Sequence, residues 1–169
     1  MQNVECKFEL RDPALARVIL GAHRATLVDT LRQTDTYFKL ADGRLKKRET
    51  QGQPTEFIFY HRENRPAARL SRFTIYSAAE AAEYFGATEP PVWVVVKKVR
   101  ELYMLEGVRV HLDEVEGLGN FLEFEALVSP AMNLVKCYEA VERLRQALAP
   151  AMGEPMSLSY SDLLAADQA

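Results

Sequence analysis

Cysteine is scarce: the 169-residue chain has two, Cys6 and Cys137. Two thiols build neither a disulfide framework nor a zinc knuckle. A long apolar run is also missing, since the longest strongly apolar stretch, Val92 to Val96, is far too short to span a bilayer. No charge of one sign dominates: 21 Lys and Arg stand against 24 Asp and Glu, giving a net charge of −3. That balance argues against a nucleic-acid partner, and any anion site must be a local concentration of Lys and Arg. Repeats, low-complexity tracts and linkers are absent, and the single tryptophan, Trp93, carries no functional signal. The first strand starts almost at once, with no signal peptide ahead of Asn3. The sequence therefore predicts a cytoplasmic protein with reduced thiols and no membrane partner.

What is present is ordinary in amount and unusual in placement. Hydrophobic residues make up 48% and charged residues 27%, enough apolar surface for one domain covering residues 1–169. A strand is predicted over Asn3 to Leu10. Asp12-Pro13 then caps a helix whose stripe is Leu15, Val18, Ile19 and Ala22. Extended segments at Arg32 to Leu40 and Arg44 to Thr50 flank an Asp42-Gly43 hairpin signal. Two further strands, Glu56 to Arg62 and Arg69 to Tyr76, follow in tandem. Ser77-Ala78-Ala79-Glu80 has capping-box spacing and opens a short helix ending near Gly86. Strands at Val92 to Met104, Val108 to Val115 and Phe121 to Ser129 come next. Pro130 is expected to start a longer helix with Leu134, Tyr138, Val141, Leu144 and Leu148 on one side. Ser159 to Leu164 reads as a final strand or helical turn. About eight hairpin-connected strands with helices at three places predict a mainly β, α+β fold. The architecture expected is an eight-stranded antiparallel closed β-barrel with flanking helices.

Several strands carry charges two residues apart, and i and i+2 share one strand face. Glu5 and Lys7 sit together with Asn3, leaving Val4, Cys6 and Phe8 opposite. Arg44, Lys46 and Arg48 align. Arg62 shares parity with Ile58 and Tyr60, and Arg69 with Ser71 and Phe73. Lys98 aligns with Arg100, Arg109 with His111 and Asp113, and Glu123 with Glu125. One wet face of an antiparallel sheet would also carry charges. Against that reading, Arg44, Lys46 and Arg48 stack one sign in a row, which repels unless an anion binds. Cationic and carboxylate strands are also separate, as a phosphate wall and a metal wall would be. Arginine forks suit phosphate oxygens, and carboxylates suit Mg2+ or Mn2+. Glu5, Glu123 and Glu125 are the leading metal ligands. Asp113 is expected to ligate metal or orient a nucleophile, and it joins Lys98 and Arg100 as a candidate catalytic residue.

These segments resemble the CYTH family, the triphosphate tunnel metalloenzymes, and within it the class IV adenylate cyclase-like branch. The family signature E-x-E-x-K reads here as Asn3-Val4-Glu5-Cys6-Lys7. Gln33 to Phe38, Gly43 to Glu49, Arg109 to Val115 with Gly117-Leu118-Gly119, Phe121 to Glu125 and Ser159 to Leu163 continue the match in order. The resemblance implies an eight-stranded tunnel enclosing triphosphate with Mg2+ or Mn2+. It implies phosphate binding by Lys7, Arg44, Lys46, Arg48, Lys98, Arg100 and Arg109, with Arg69 where the branch often has lysine. Arg62 joins this substrate-binding set by parity. Glu5, Glu123 and Glu125 would hold metal, with Asp113 nearby. Asn3 departs from the signature, putting an uncharged carbonyl where the family has a glutamate.

The sequence thus predicts a metal-dependent enzyme whose partner is a triphosphate-containing small molecule. The leading reaction is ATP to cyclic AMP and pyrophosphate. The alternatives are hydrolysis of tripolyphosphate, a nucleoside triphosphate or thiamine triphosphate, and a non-catalytic polyphosphate- or nucleotide-binding module. A homodimer is compatible with the sequence. His111 is expected to be a hydrogen-bonded barrel histidine rather than a zinc ligand.

Overall fold

Alternating apolar and polar residues along each strand, punctuated by tight turns, close one antiparallel sheet on itself. The computed structural model describes residues 1–168. Its elements are β1 (Gln2–Leu10), α1 (Pro13–Ala22), β2 (Thr26–Phe38), β3 (Arg44–Thr50), β4 (Glu56–Arg62), β5 (Arg69–Ser77), α2 (Ala78–Phe85), β6 (Val92–Leu105), β7 (Val108–Val115), β8 (Gly119–Leu127), α3 (Leu134–Leu148), β9 (Met152–Met156) and α4 (Tyr160–Asp167). Strands neighbour one another in the order β5-β4-β3-β2-β6-β7-β8-β1, and β1 pairs back onto β5. That pairing closes the eight-stranded barrel the sequence predicts. One edge of β1 is shared: Gln2 to Glu5 pair with β5, and Lys7 to Leu10 pair with β9.

Turn chemistry fixes the register. Gly43 has φ +70 between β2 and β3, and a Cβ there would lie 2.5 Å from the Phe59 ring. Glu106 and Gly107 both have positive φ, 51 and 75, as the twist of a two-residue hairpin requires. Asp12 caps α1 by accepting from Leu15 N at 3.0 Å. Ser77 and Glu80 form the expected capping box at α2.

With register fixed, each strand sends one parity outward and the other inward. Outward Val4, Cys6, Phe8, Val110, Leu122 and Phe124 pack under α1 and α3. Burial, with Glu123 nearby, pushes the Cys6 thiol up to about 12, so it behaves as a small inert hydrophobe. Phe38, Leu45, Phe57 and Phe59 form a second cluster with Ala81 and Phe85 of α2.

The structure corrects several sequence-based boundaries. The buried residues of α1 are Ala16 and Leu20, whereas Val18 is 67% exposed. Helix α3 begins at Leu134, capped by Asn133, not at Pro130. Leu134 is exposed, and Cys137 and Ala140 take the core positions. Strand β2 starts at Thr26, where its residues are exposed on both faces and no alternation marks them; the ladder to β6 holds them. Strand β9 had no prediction because it is short and contains Gly153 and Pro155. Pro155 is tolerated at a sheet edge. The tail is helix α4 with its own capping box, Ser159 and Asp162.

Candidate active site

The inward faces enclose a cavity of about 880 Å3. Three adjacent strands build its acidic side. Glu5 on β1 stands opposite Glu125 on β8, which stands opposite Arg109 on β7. The next rung is Lys7, Glu123 and His111 in the same strand order. His111 Nδ1 lies 3.1 Å from Glu123 Oε1, and Lys7 Nζ lies 3.7 Å from Glu123 Oε2. Glu5 Oε1 meets Arg62 Nη1 at 3.5 Å and Arg69 Nε at 3.5 Å.

The electrostatics of these carboxylates diverge. Burial, with Glu123 second and Glu125 further on, pushes Glu5 up to about 7. Burial also acts to raise Glu123, but the His111 hydrogen bond and Lys7 win and hold it well below the usual carboxylate range. Burial and the Arg100 charge lower His111 below its ordinary value, so its imidazole is neutral at neutral pH. One donor atom from each of His111, Glu123 and Glu125 fits within 4.8 Å of the others. Asn3 faces the same cavity, 4% exposed, and its Oδ1 has no hydrogen-bond partner among the described residues.

The basic side is organised around Asp35. Its carboxylate accepts from Arg48 Nε at 2.8 Å, Arg48 Nη2 at 2.7 Å and Lys98 Nζ at 2.6 Å, with Lys46 Nζ 3.7 Å away. Burial opposes ionisation of Asp35, yet Arg48, Lys98 and Lys46 together hold its carboxyl well below the usual range. The sequence reading did not assign Asp35. The signal was available, because the Asp42-Gly43 turn sets the β2–β3 register that puts Asp35 directly across from Arg48. Burial and the Arg48 charge bring Lys46 down to about 8.

The cavity has two unlike ends. At one, α4 packs Tyr160, Leu163 and Leu164 against Val94, Val96, Val115 and Phe121. The Lys7 ammonium lies 3.7 Å from the centroid of the Tyr160 ring. At the other end the lining is largely apolar, with Leu31, Leu102, Met104, Leu127 and Met132.

Of the expected site residues, Glu5, Lys7, Lys46, Arg48, Arg62, Lys98, Arg100, Arg109, Glu123 and Glu125 line this cavity. Three do not. Asp113 is spent on Arg100, accepting from Nε at 2.7 Å and Nη2 at 2.8 Å, and on the Tyr160 hydroxyl at 2.7 Å. Burial would raise it, but Arg100 takes it down to about 2. These bonds tie Asp113 to Arg100 and Tyr160 behind the lining. Arg44 turns to the start of α4, donating to Ser159 Oγ and Asp162 Oδ2 at 2.9 Å each. Arg69 donates to the carbonyls of Arg65 and Met156, bracing the place where β1 passes from β5 to β9. The partners Met156, Ser159, Tyr160 and Asp162 lie far along the chain from these three residues, so strand parity alone could not exclude them.

Comparison with known proteins agrees with this geometry. The CYTH domain family model matches residues 1–155. A protein of Methanocaldococcus jannaschii named "Putative adenylate cyclase MJ0240" is 34% identical over 68 residues, 40% of this chain. The match spans 39% of that relative's length. The PH1012 protein of Pyrococcus horikoshii superposes with TM-score 0.77 at 20% identity, covering 95% of this chain and 98% of that one. A "putative adenylate cyclase" of Vibrio parahaemolyticus gives 0.73 at 18% identity over 96% and 97% of the two chains. HpAC1 of Hippeastrum, described as a "putative adenylyl cyclase" that reveals a dominant triphosphatase activity, gives 0.63 at 14% identity over 98% and 96%. No helix among the described residues is long and apolar enough to cross a membrane. By the span of the family match and by its closed eight-stranded barrel, this chain belongs to the CYTH domain family.

Proposed function

We propose that this protein is a divalent-metal-dependent enzyme acting on an organic triphosphate, with conversion of ATP to cyclic AMP and pyrophosphate as its reaction. The observation that carries the reading is one cavity lined by Lys46 and Arg48 of β3 and Lys98 and Arg100 of β6 on one side, and by Glu5 of β1 with Glu123 and Glu125 of β8 on another. Phosphoryl and nucleotidyl transfer need neutralised oxygens and fixed geometry more than covalent help. Lys7, Lys46, Arg48, Arg62, Lys98, Arg100 and Arg109 bind the phosphate chain. Lys98 and Arg100 offset charge on the leaving pyrophosphate. Asp113 and the Tyr160 hydroxyl hold the Arg100 fork in place, which preserves its two-oxygen grip.

The donor set fits a divalent cation. Burial first, with Glu123 and Glu125 adding to it, pushes Glu5 up to about 7, and a cation beside these three carboxylates would offset both effects. Glu5, Glu123 and Glu125 would hold Mg2+ or Mn2+. Such an ion supplies charge neutralisation of the phosphate oxygens.

In cyclisation the ribose 3′ oxygen bonds to the α-phosphorus, the bond to pyrophosphate breaks, and the 3′ proton leaves to solvent. Two features favour an organic substrate over tripolyphosphate. The cavity, about 880 Å3, falls in the roughly 300–1,000 Å3 range of drug-sized ligands. Leu31, Leu102, Met104 and Leu127 in its lining offer contact to the base of an organic head group. Hydrolysis at the γ-phosphorus is the second reading, favoured by the likeness in fold to HpAC1 and that protein's described activity. Phosphorus NMR of ATP turned over with Mn2+ tests both. Cyclic AMP with pyrophosphate supports the first, and ADP with phosphate supports the second. Binding of ATP with no turnover under either metal defeats both in favour of a binding module.

A further inference from the structure

The inner face of β2 changes character along its length. Asp35 sits among cations, Gln33 is a neutral amide, and Leu31 is apolar. Successive positions on that face lie roughly 7 Å apart. An organic triphosphate has the same succession of phosphates, sugar hydroxyls and base. Gln33 is 6% exposed and lines the cavity, on one rung with Thr50 of β3 and Lys98 of β6. Its Nε2 donates to Thr50 Oγ1 at 3.2 Å. Its Oε1 has no hydrogen-bond partner among the described residues. The cations across β6 are engaged elsewhere: Lys98 donates to Asp35 at 2.6 Å, and Arg100 donates to Asp113. Thr50 also lines the cavity, and its hydroxyl accepts from Gln33 and donates to no group among the described residues. The pair therefore holds one free acceptor and one free donor. Turning the amide over exchanges the two roles and leaves one of each. A buried acceptor without a partner costs free energy that an arriving donor recovers.

We propose that the Gln33–Thr50 pair is a sugar-reading subsite: Gln33 Oε1 accepts from one ribose hydroxyl and the Thr50 hydroxyl donates to the other, while Lys46, Arg48 and Lys98 hold the phosphates. The proposal deepens the organic-triphosphate reading above and rests on it. A vicinal diol is neutral, and each of its oxygens can donate and accept, so it matches an amide–hydroxyl pair. Tripolyphosphate presents anionic acceptors and leaves Oε1 unpaired. A site built to hydrogen-bond a substrate hydroxyl rejects the analogue that lacks it, because its own polar groups are then stranded. Holding both hydroxyls also fixes the 3′ oxygen beside the phosphates it attacks in cyclisation.

The test is calorimetric titration of the full chain, with saturating Mn2+, by three probes. One is an ATP analogue with both bridging oxygens replaced by CH2, which neither cyclises nor hydrolyses. The second is its 2′,3′-dideoxy counterpart, and the third is tripolyphosphate. Wild type should bind the diol analogue at least about tenfold more tightly than the dideoxy one. Gln33→Leu keeps the bulk of the side chain and removes the amide, and Thr50→Val replaces the hydroxyl by a methyl group. Either variant should cut that preference to about threefold or less, with tripolyphosphate affinity within about threefold of wild type. The preference is the decisive readout, because a purely structural role for the pair would weaken all three probes together and leave it unchanged. A variant that does not fold leaves the other variant and the wild-type preference to decide. Equal binding of the two analogues by wild type overturns the proposal, and so does an undiminished preference in the folded variants. If wild type binds tripolyphosphate but does not distinguish the analogues, the Gln33–Thr50 assignment fails alone. If it binds none of the three probes, the triphosphate reading fails along with it.

Discussion

Replacing Glu5 by glutamine removes a carboxylate whose charge is disfavoured first by burial and then by its carboxylate neighbours. In the metal-free protein Glu5 is buried among carboxylates, and its pKa rises from the ordinary 4.5 to about 7. A carboxyl that holds its proton more tightly when folded contributes its full share of stability below pH 4.5. That share is lost as pH climbs to about 7. Over this window the folded state binds more protons than the unfolded one, so stability falls with rising pH. The integrated loss is on the order of 3 kcal/mol at pH 8. Glutamine keeps the shape of the protonated acid and cannot ionise. Metal-free Glu5→Gln should therefore match wild type near pH 4 and exceed it by about 3 kcal/mol at pH 8. For a domain of this size that difference amounts to roughly 6–12 °C in melting temperature. Urea titrations of both chelated proteins at several pH values between 4 and 8 measure it. Saturating Mn2+ should reverse the order by stabilising the wild type selectively. Parallel stability curves, or a variant less stable than wild type at pH 8 without metal, would refute the reasoning.

Asp35 should behave in the opposite sense. Asp35→Asn leaves Arg48, Lys98 and Lys46 buried without their shared carboxylate, at an expected cost of about 3–5 kcal/mol. Denaturant unfolding checks this, and tripolyphosphate should restore more stability to the variant than it adds to wild type. Lys46, brought down to about 8, carries its charge below that pH and loses it above. ATP affinity should weaken between pH 8 and 9, approaching about tenfold per pH unit, and Lys46→Arg should flatten the profile. Tyr160→Phe removes the hydroxyl donated to Asp113 at 2.7 Å but keeps the ring under Lys7. It should cost about 1.5–3 kcal/mol of stability and raise KM for the triphosphate through a looser Arg100, as steady-state kinetics would show.

Much of the barrel was legible because turns and strand parity are local. The Asp42-Gly43 turn, the Ser77–Glu80 box and the alternation of β1, β3, β4 and β7 each act within a few residues. What was not legible depends on partners far along the chain. The outer half of β2 is held by β6 rather than by any pattern of its own. Val18 looked like core and lies in solvent because α1 docks through Ala16 and Leu20. Within the site, parity placed Asp113, Arg44 and Arg69 on inward faces. It could not reveal that Tyr160, Asp162 and the Met156 carbonyl compete for them. Those competitors come from the last strand and helix, whose docking no strand pattern announces. Asp35 shows the converse, since a carboxylate opposite Arg48 in a fixed hairpin could have been found by register alone.

Calorimetric titration of a non-hydrolysable ATP analogue with saturating Mn2+, into wild type and the Lys46→Ala/Arg109→Ala double variant, addresses the cavity itself. Both side chains line it, from β3 and β7, three strands apart in the barrel. Wild type should bind one analogue per chain, and the double variant should bind it at least about a hundredfold more weakly, as loss of two charged contacts requires. Equal affinities in the two proteins, or no binding to wild type, would contradict the account.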